Sequence, residues 1–176
     1  MTVDVDDFEN AQVYVGTYKK YNDGNLYGDW VSLFDYDNKE DFVERCREIH
    51  SDEHPDELEL MFQDYEGLLE CMYSEIDLDE NLWELMLWCS EESHDLQAVL
   101  DYIYGDDNFD FDDLVKNFDG YYQGQYEDME DYARSVVDLS NVPKWLENYI
   151  DWESYADDLE LDGYWISDNG YVFRDW

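Results

Sequence analysis

The sequence predicts an α+β protein built from three modules, and three observations support this. Runs with strand-like alternation stand near both ends of the chain, and runs with helical periodicity lie between them. Hydrophobic residues make up 44% of the 176 residues and aromatic residues 18%, which is enough for a substantial core. The dominant period changes near residues 72 and 117. We therefore expect a small α/β module over 1–72, a central helical module over 73–117 and a C-terminal α+β module over 118–176.

The first module is predicted to cover a small sheet with one helix. Asn38 is placed to cap that helix, in which Phe42 and Cys46 share one face. The strands are short alternating runs, and a cluster of Asn, Asp and Gly separates the first two. The predicted elements are a strand over 11–15, a turn over 22–25, a strand over 26–34, a helix over 39–50 and a strand over 57–62.

The central module is predicted to contain three helices. Residues 82–88 are too apolar for an exposed helix, so this segment is expected in a core. Ser93 is predicted to be the N-cap of the next helix, and Gly105 to end it. The third helix follows from the spacing of apolar residues over 111–118.

The C-terminal module is predicted to combine a strand, three helices and a terminal hairpin. Pro143 is expected near the start of the second helix, with Trp145 and Tyr149 pointing inward. The pair Asn169-Gly170 stands between two apolar runs, which is a hairpin signal. The predicted elements are a strand over 120–126, helices over 129–136, 143–150 and 152–159, and the hairpin over 164–173.

The net charge restricts the kind of partner. The formal charge is −40 at pH 7, from 49 Asp and Glu against 9 Lys and Arg. Binding to DNA, RNA or an anionic membrane needs the opposite sign, so none of these is predicted as a partner. Because duplex DNA has one charge per about 1.7 Å of its axis, forty charges equal the phosphates of about twenty base pairs. A folded protein with this charge would attract a groove that normally binds DNA.

Residues 106–131 concentrate acids on a segment that is predicted to be folded. A disordered acidic tail is poor in aromatic residues, whereas these acids are interleaved with residues such as Phe111, Phe118 and Tyr126. Helical phase places most of the acids opposite an apolar stripe, which would hold them in a fixed array. The predicted partner-binding carboxylates are Asp106, Asp107, Asp110, Asp112, Asp113, Asp119, Glu127, Asp128, Glu130 and Asp131.

No catalytic or metal motif is comparably specific. With 49 acids, some pair will stand at a catalytic distance by chance, so no catalytic residue is predicted. Asp106, Asn108 and Asp110 have an EF-hand-like spacing, but Phe111 and Asn117 stand where that loop needs Gly and Glu. We therefore predict no enzymatic activity, no metal and no cofactor.

The histidines and cysteines are predicted to be structural. His50, His54 and His94 lack metal-site spacing and are expected at the surface. The three cysteines are expected to be buried small side chains. Their wide spacing, with no CxxC and no secretory leader at the amino terminus, indicates the cytoplasm. No apolar run approaches the length of about 18 residues that a membrane span needs.

Two blocks of the sequence resemble the ArdA family of antirestriction proteins. The first block has VYVGTY at 13–18, KYNDG at 20–24 and GDW at 28–30. The second block has VP at 142–143, LENYID at 146–151, YA at 155–156, DL at 158–159, GYWIS at 163–167 and NG at 169–170. The intervening residues are similar only in length and acidity, so the resemblance is specific at the two ends of the chain.

The resemblance implies an elongated, three-module DNA mimic. Proteins of this family occupy the DNA-binding cleft of type I restriction-modification enzymes and so protect incoming plasmid, transposon or phage DNA. The resemblance also implies that the chain forms a homodimer through its C-terminal part. The family's antirestriction segment would fall near residues 128–139.

Three other interpretations of the acidic composition stay open. An acidic scaffold or chaperone for basic DNA-binding proteins would bind many cationic partners with little shape preference. A halophilic-type domain would lose structure at low salt. A calcium buffer would bind the metal in calorimetry.

Overall fold

The computed structural model describes residues 3–105 and 109–174 and confirms a mixed α and β protein with two small antiparallel sheets. Contacts divide the chain into two compact units, one ending at Leu100 and one beginning at Asp101. The division into three modules stays a prediction. The elements are α1 (Val5–Glu9), β1 (Gln12–Thr17), α2 (Tyr18–Asn22), β2 (Asp29–Ser32), α3 (Lys39–Ile49), β3 (Leu60–Glu66), α4 (Asn81–Glu92), α5 (Leu96–Gly105), α6 (Phe111–Tyr121), β4 (Tyr122–Gln125), α7 (Met129–Val136), α8 (Trp152–Leu161), β5 (Tyr164–Ile166) and β6 (Tyr171–Arg174).

The sheet of the first unit has the strand order β2-β1-β3, with both pairings antiparallel. The central strand β1 buries Val13 and Val15. The third strand, β3, begins at Leu60, three residues after the start of the predicted strand over 57–62. Leu60 pairs with Thr17, the last residue of β1. None of the helices in the described residues combines the length and apolar character that crossing a bilayer requires.

Helix α3 is confirmed with its predicted cap, and it ends at Ile49, one residue before the predicted end. The Asn38 side chain accepts a hydrogen bond from the Asp41 N–H at 2.9 Å, as expected of an N-cap. Phe42 and Cys46 are fully buried. The Phe42 ring contacts that of Trp83 on α4, with 5.6 Å between ring centroids, so α3 and α4 share one core.

The prediction that Ser93 caps α5 was wrong. Ser93 instead follows the last residue of α4 with a left-handed backbone, at a φ of 60°. Asp95 supplies the cap, because its carboxylate accepts hydrogen bonds from the N–H groups of Gln97 at 3.0 Å and Ala98 at 3.4 Å. The expectation that residues 82–88 enter a core is confirmed at Leu82 and Leu85, which are fully buried, and is wrong at Leu87, which is 58% exposed.

A buried polar cluster lies beside β1, and it contradicts the expectation that His50 is at the surface. His50 is fully buried, and Lys20 and Glu53 are each 8% exposed. The Lys20 Nζ lies 3.0 Å from His50 Nδ1, 2.7 Å from Asp52 Oδ1 and 3.6 Å from Glu53 Oε1. Thr17 Oγ1 donates to Glu53 Oε1 at 2.6 Å. Burial lowers the pKa of His50, so the ring is neutral and its Nδ1 accepts a hydrogen bond from the Lys20 ammonium group.

The sheet of the second unit has the order β4-β6-β5, and β6 is its buried central strand. Strands β5 and β6 confirm the predicted hairpin, in which Trp165 pairs with Phe173. Gly170 has a φ of +83° in the connection, a conformation that residues with a Cβ rarely adopt. Helices α7 and α8 pack against this sheet and form a core of Met129, Tyr132, Ala133, Ala156, Leu159 and Val172.

The predicted helix over 143–150 was wrong. This segment contains only a short 3₁₀ turn, Glu147–Tyr149. The side chains that were expected to point inward are largely exposed, at 66% for Trp145 and 78% for Tyr149. Residues 143–150 have the apolar spacing of a helix, but in the structure they neither form an α-helix nor bury these two aromatic side chains.

Candidate functional site

The predicted partner-binding carboxylates that the structure describes lie in the second unit, on helices α6 and α7 and just before each of them. Residues 101–176 contain 21 Asp and Glu against four Lys and Arg, a formal charge of −17. Asp106 and Asp107 lie outside the described residues. We call the other eight, all exposed except the half-buried Glu130, the α6–α7 acidic surface: Asp110, Asp112, Asp113, Asp119, Glu127, Asp128, Glu130 and Asp131.

Helix α6 presents its acids to solvent because its opposite face is anchored. Leu114 and Phe118 are each 1% exposed, and these two residues fix the rotation of the helix. Asp112 and Asp119 lie on the solvent side, seven residues apart. The helix is 11 residues long, so these charges are held on a short, packed rod.

Two acids of α6 are fixed by hydrogen bonds. Asp110 is the N-cap, and its carboxylate accepts from the Asp113 N–H at 2.9 Å. The Asp113 carboxylate accepts from Asn117 Nδ2 at 2.8 Å and from the Tyr121 hydroxyl at 2.7 Å. Asp113 is still exposed, so its charge is oriented and remains accessible to a partner.

Helix α7 repeats this arrangement over eight residues. Met129, Tyr132 and Ala133 are buried, and Asp128 is the N-cap, with its carboxylate accepting from the Asp131 N–H at 2.8 Å. Glu130 differs from its neighbours because Arg134 pairs with it at 2.6 Å. This pair lowers the negative charge that Glu130 offers to a partner, so Glu130 is the weakest of the predicted sites on α7.

The cap at Asp128 leads to a testable prediction. Replacing Asp128 by Ala is expected to lower the free energy of unfolding by about 1 kcal/mol, because the first turn of α7 loses its acceptor. Asp128→Asn keeps an acceptor of similar capping strength and is expected to cost less than half of that. Urea denaturation of both variants measures the difference. Equal losses would show that the charge of Asp128, and not its hydrogen bond, stabilises the helix.

A further row of acids lies on α8, which the sequence analysis did not assign to the site. Glu153, Asp157 and Glu160 are exposed and stand at helical positions i, i+4 and i+7. They lie on one side of the helix, away from the buried Ala156 and Leu159. The apolar stripe of residues 152–159 predicts a buried face, and the same stripe places these acids on the exposed side of the helix.

The cysteines do not form a reactive site. Cys46 and Cys89 are buried, as expected, and burial raises the pKa of each thiol to about 12. Cys71 is exposed, which contradicts the expectation that all three are buried, yet partial desolvation also raises its pKa. All three therefore remain thiols at neutral pH, whereas a nucleophilic cysteine needs the thiolate.

Within residues 3–105 and 109–174, no group of three or more His, Cys, Asp and Glu side chains is arranged to hold a metal ion. The calcium-loop alternative rests on Asp106 and Asn108, which lie outside that range.

Comparison with known proteins identifies the family. A sequence model described as antirestriction protein (ArdA) matches residues 13–173, which is nearly the whole chain. No protein of curated function matches the chain. The matched region contains the complete α6–α7 acidic surface and both sheets, except for the first residue of β1 and the last residue of β6. The chain therefore belongs to the antirestriction protein (ArdA) family.

Proposed function

We propose that this antirestriction protein acts as a DNA mimic and occupies, without catalysis, the DNA-binding cleft of a type I restriction-modification enzyme. The observation that carries the proposal is the anchoring of the acids. Exposed carboxylates of α6, α7 and α8 lie opposite fully or nearly fully buried faces of the same short helices. A basic cleft would therefore meet preorganised charge and would not have to order a flexible polyanion.

The helical spacing of the acids supports the likeness to a phosphate backbone. Residues seven apart on an α-helix, such as Asp112 and Asp119 or Glu153 and Glu160, are separated by about 10.5 Å along the helix axis. One strand of duplex DNA advances about 3.4 Å per phosphate, so three steps cover about 10 Å. Two basic side chains of the target enzyme that are spaced to contact phosphates three steps apart could therefore reach these two carboxylates without rearrangement.

The mechanism is competitive ion exchange on the surface of the target. Lys and Arg side chains of the cleft would pair with carboxylates, and the anions that the cleft binds in the free enzyme would be released. Because the pairs are exposed, each contributes only about 0.2–1 kcal/mol, and affinity depends on how many form at once.

We also propose that the protein acts as a homodimer. Several large apolar side chains of the second unit are exposed, including Trp145, Tyr149 and Leu161 at 66%, 78% and 85%. Contact with a second copy would remove such side chains from water and would double the acids presented to the target. Sedimentation equilibrium is the measurement that tests this part of the proposal.

Competition with duplex DNA tests the main proposal. The protein is titrated into a complex of a type I restriction enzyme with fluorescent duplex, and fluorescence anisotropy reports the duplex that remains bound. We expect displacement at near-stoichiometric protein, and a falling affinity for the enzyme as salt is raised from about 50 to 200 mM.

The control is polyglutamate of about forty residues, which matches the charge of the chain but has no fold. Displacement by polyglutamate at the same concentration would refute shape mimicry. Comparable affinity for an unrelated basic protein such as a histone would favour the alternative of an acidic scaffold. Affinity that does not change with salt would refute the ion-exchange mechanism.

A further inference from the structure

The first unit contains a groove between α3 and the segment that leads to β3. Its volume is about 1000 Å³, which is at the upper end for small-molecule sites and leaves room for several side chains of a peptide. We call it the α3 groove. Apolar walls are supplied by Val43, Pro55 and Leu58, and its other lining residues are Lys39, Glu40, Glu44, Arg47, Glu48, Ser51 and Glu53.

The charges that line the α3 groove favour a cation. Four glutamates line it against Lys39 and Arg47, and Lys39 is already engaged by Asp77 at 2.8 Å. Glu40, Glu44 and Glu48 stand four residues apart on α3, an arrangement in which like charges repel along one helix face. Arg45 pairs with Glu48 at 3.3 Å and relieves only one end of this row. A cation that enters the groove would lower the repulsion among the other glutamates of this row.

Glu53 provides an independent indication of a ligand. Its side chain is 5% exposed, and Oε1 is held inside by Thr17 and Lys20. The second oxygen, Oε2, is buried and has no hydrogen-bond partner among the described residues. A buried carboxylate oxygen without a donor is unfavourable by about 1–3 kcal/mol, and more where it is charged. Because Glu53 lines the α3 groove, a small rotation of its side chain would bring this oxygen to a donor that enters the groove.

We infer that the α3 groove binds an arginine side chain from a basic peptide segment of a partner protein. A guanidinium is planar, tolerates partial burial and has five donors, so it can satisfy Glu53 Oε2 and pair with a rim glutamate at the same time. Its methylene stem would pack on Val43 and Leu58. Glu53 is the anchor and the glutamates of α3 form the rim. This site lies in the first unit and does not depend on DNA mimicry by the second.

A peptide titration of the full chain tests the inference. The probe is acetyl-Ala-Leu-Arg-Leu-Ala-amide at 0.15 M salt, followed by ¹H–¹⁵N NMR, and its control has citrulline in place of arginine. Citrulline keeps the shape of arginine and removes the charge. We expect shifts concentrated in residues 40–58 and binding at least tenfold weaker for the citrulline peptide. Equal binding of the two peptides, or shifts spread over all acidic surfaces, would overturn the inference.

Three variants with the same net charge locate the anchor. Glu53→Gln and Val43→Lys alter the groove, whereas Glu91→Gln alters an exposed acid of α4 that does not line it. Each raises the net charge by one. We expect at least tenfold weaker peptide binding for the two groove variants and less than a twofold change for Glu91→Gln. If Glu53→Gln fails to fold, Val43→Lys alone decides, and undiminished binding by it overturns the inference. No restriction enzyme is present, so either result leaves the duplex competition unaffected.

Discussion

Neutralising four exposed acids together is expected to weaken binding to a type I restriction enzyme strongly, whereas each single change should have little effect. The four are Asp112, Asp119, Glu127 and Asp131, which are exposed and are not helix N-caps. Exposed ion pairs contribute roughly 0.2–1 kcal/mol each, so losing four costs about 1–4 kcal/mol. This corresponds to a loss of affinity of about 5-fold to about 900-fold.

In this quadruple variant Asn replaces each Asp and Gln replaces Glu127. It is compared with a control variant that has the same net charge. Neutralising Asp23, Glu70, Glu91 and Glu92, which are exposed acids of the first unit, changes the total charge by the same four units. We expect this control to bind several-fold more tightly than the first variant in the anisotropy assay. Equal losses would mean that only total charge matters, and the α6–α7 acidic surface would then have no special role.

The acidic surface could be predicted from the sequence because helical phase links burial to exposure. Leu114 and Phe118 identify the buried face of α6, and the acids on the opposite face must therefore point to solvent. The predicted cap at Asn38 follows an equally local rule. Interactions within about four residues of the chain were thus accessible to sequence reasoning.

Contacts between residues that are farther apart could not be predicted in this way. Tyr121 donates to Asp113 from eight residues away, and this contact depends on where α6 ends. The burial of His50 depends on Lys20 and on the carbonyl of Val15, which is 35 residues distant. A periodic pattern says that a face is apolar or polar, but it does not identify the group that covers it.

Two of the predictions from the sequence were wrong because the sequence pattern fits two different structures. Ser93 and Asp95 are both good capping residues, and the sequence does not show which of them follows the last turn of α4. Trp145 and Tyr149 have helical spacing, yet they remain exposed in the single chain. If a second copy covers these side chains, their apolar spacing belongs to an interface and not to a core. Periodicity alone does not distinguish an interface from a core.

Removing the ammonium group of Lys20 is expected to have the largest effect on stability. Lys20→Met keeps a side chain as long as the methylene stem of lysine but leaves Glu53, 8% exposed, without its nearest cation. Breaking a buried pair from one side costs about 3–5 kcal/mol, since the remaining charge is uncompensated. The matched control is Lys19→Met on the same helix, whose pair with Glu57 is exposed on both sides and should contribute less than about 1 kcal/mol.

A double variant identifies the cause of this loss. In Lys20→Met/Glu53→Gln no buried charge is left at this position, so the double variant should be more stable than the sum of the two single losses predicts, by at least about 1 kcal/mol. Urea denaturation at pH 7 of the four proteins measures this coupling. Additive losses would show that Lys20 stabilises the fold through its contacts with His50 and with the Tyr27 ring, whose centroid lies 4.7 Å from the ammonium nitrogen. The exposed carboxylate of Asp52 is solvated in every variant, so it contributes little to the difference.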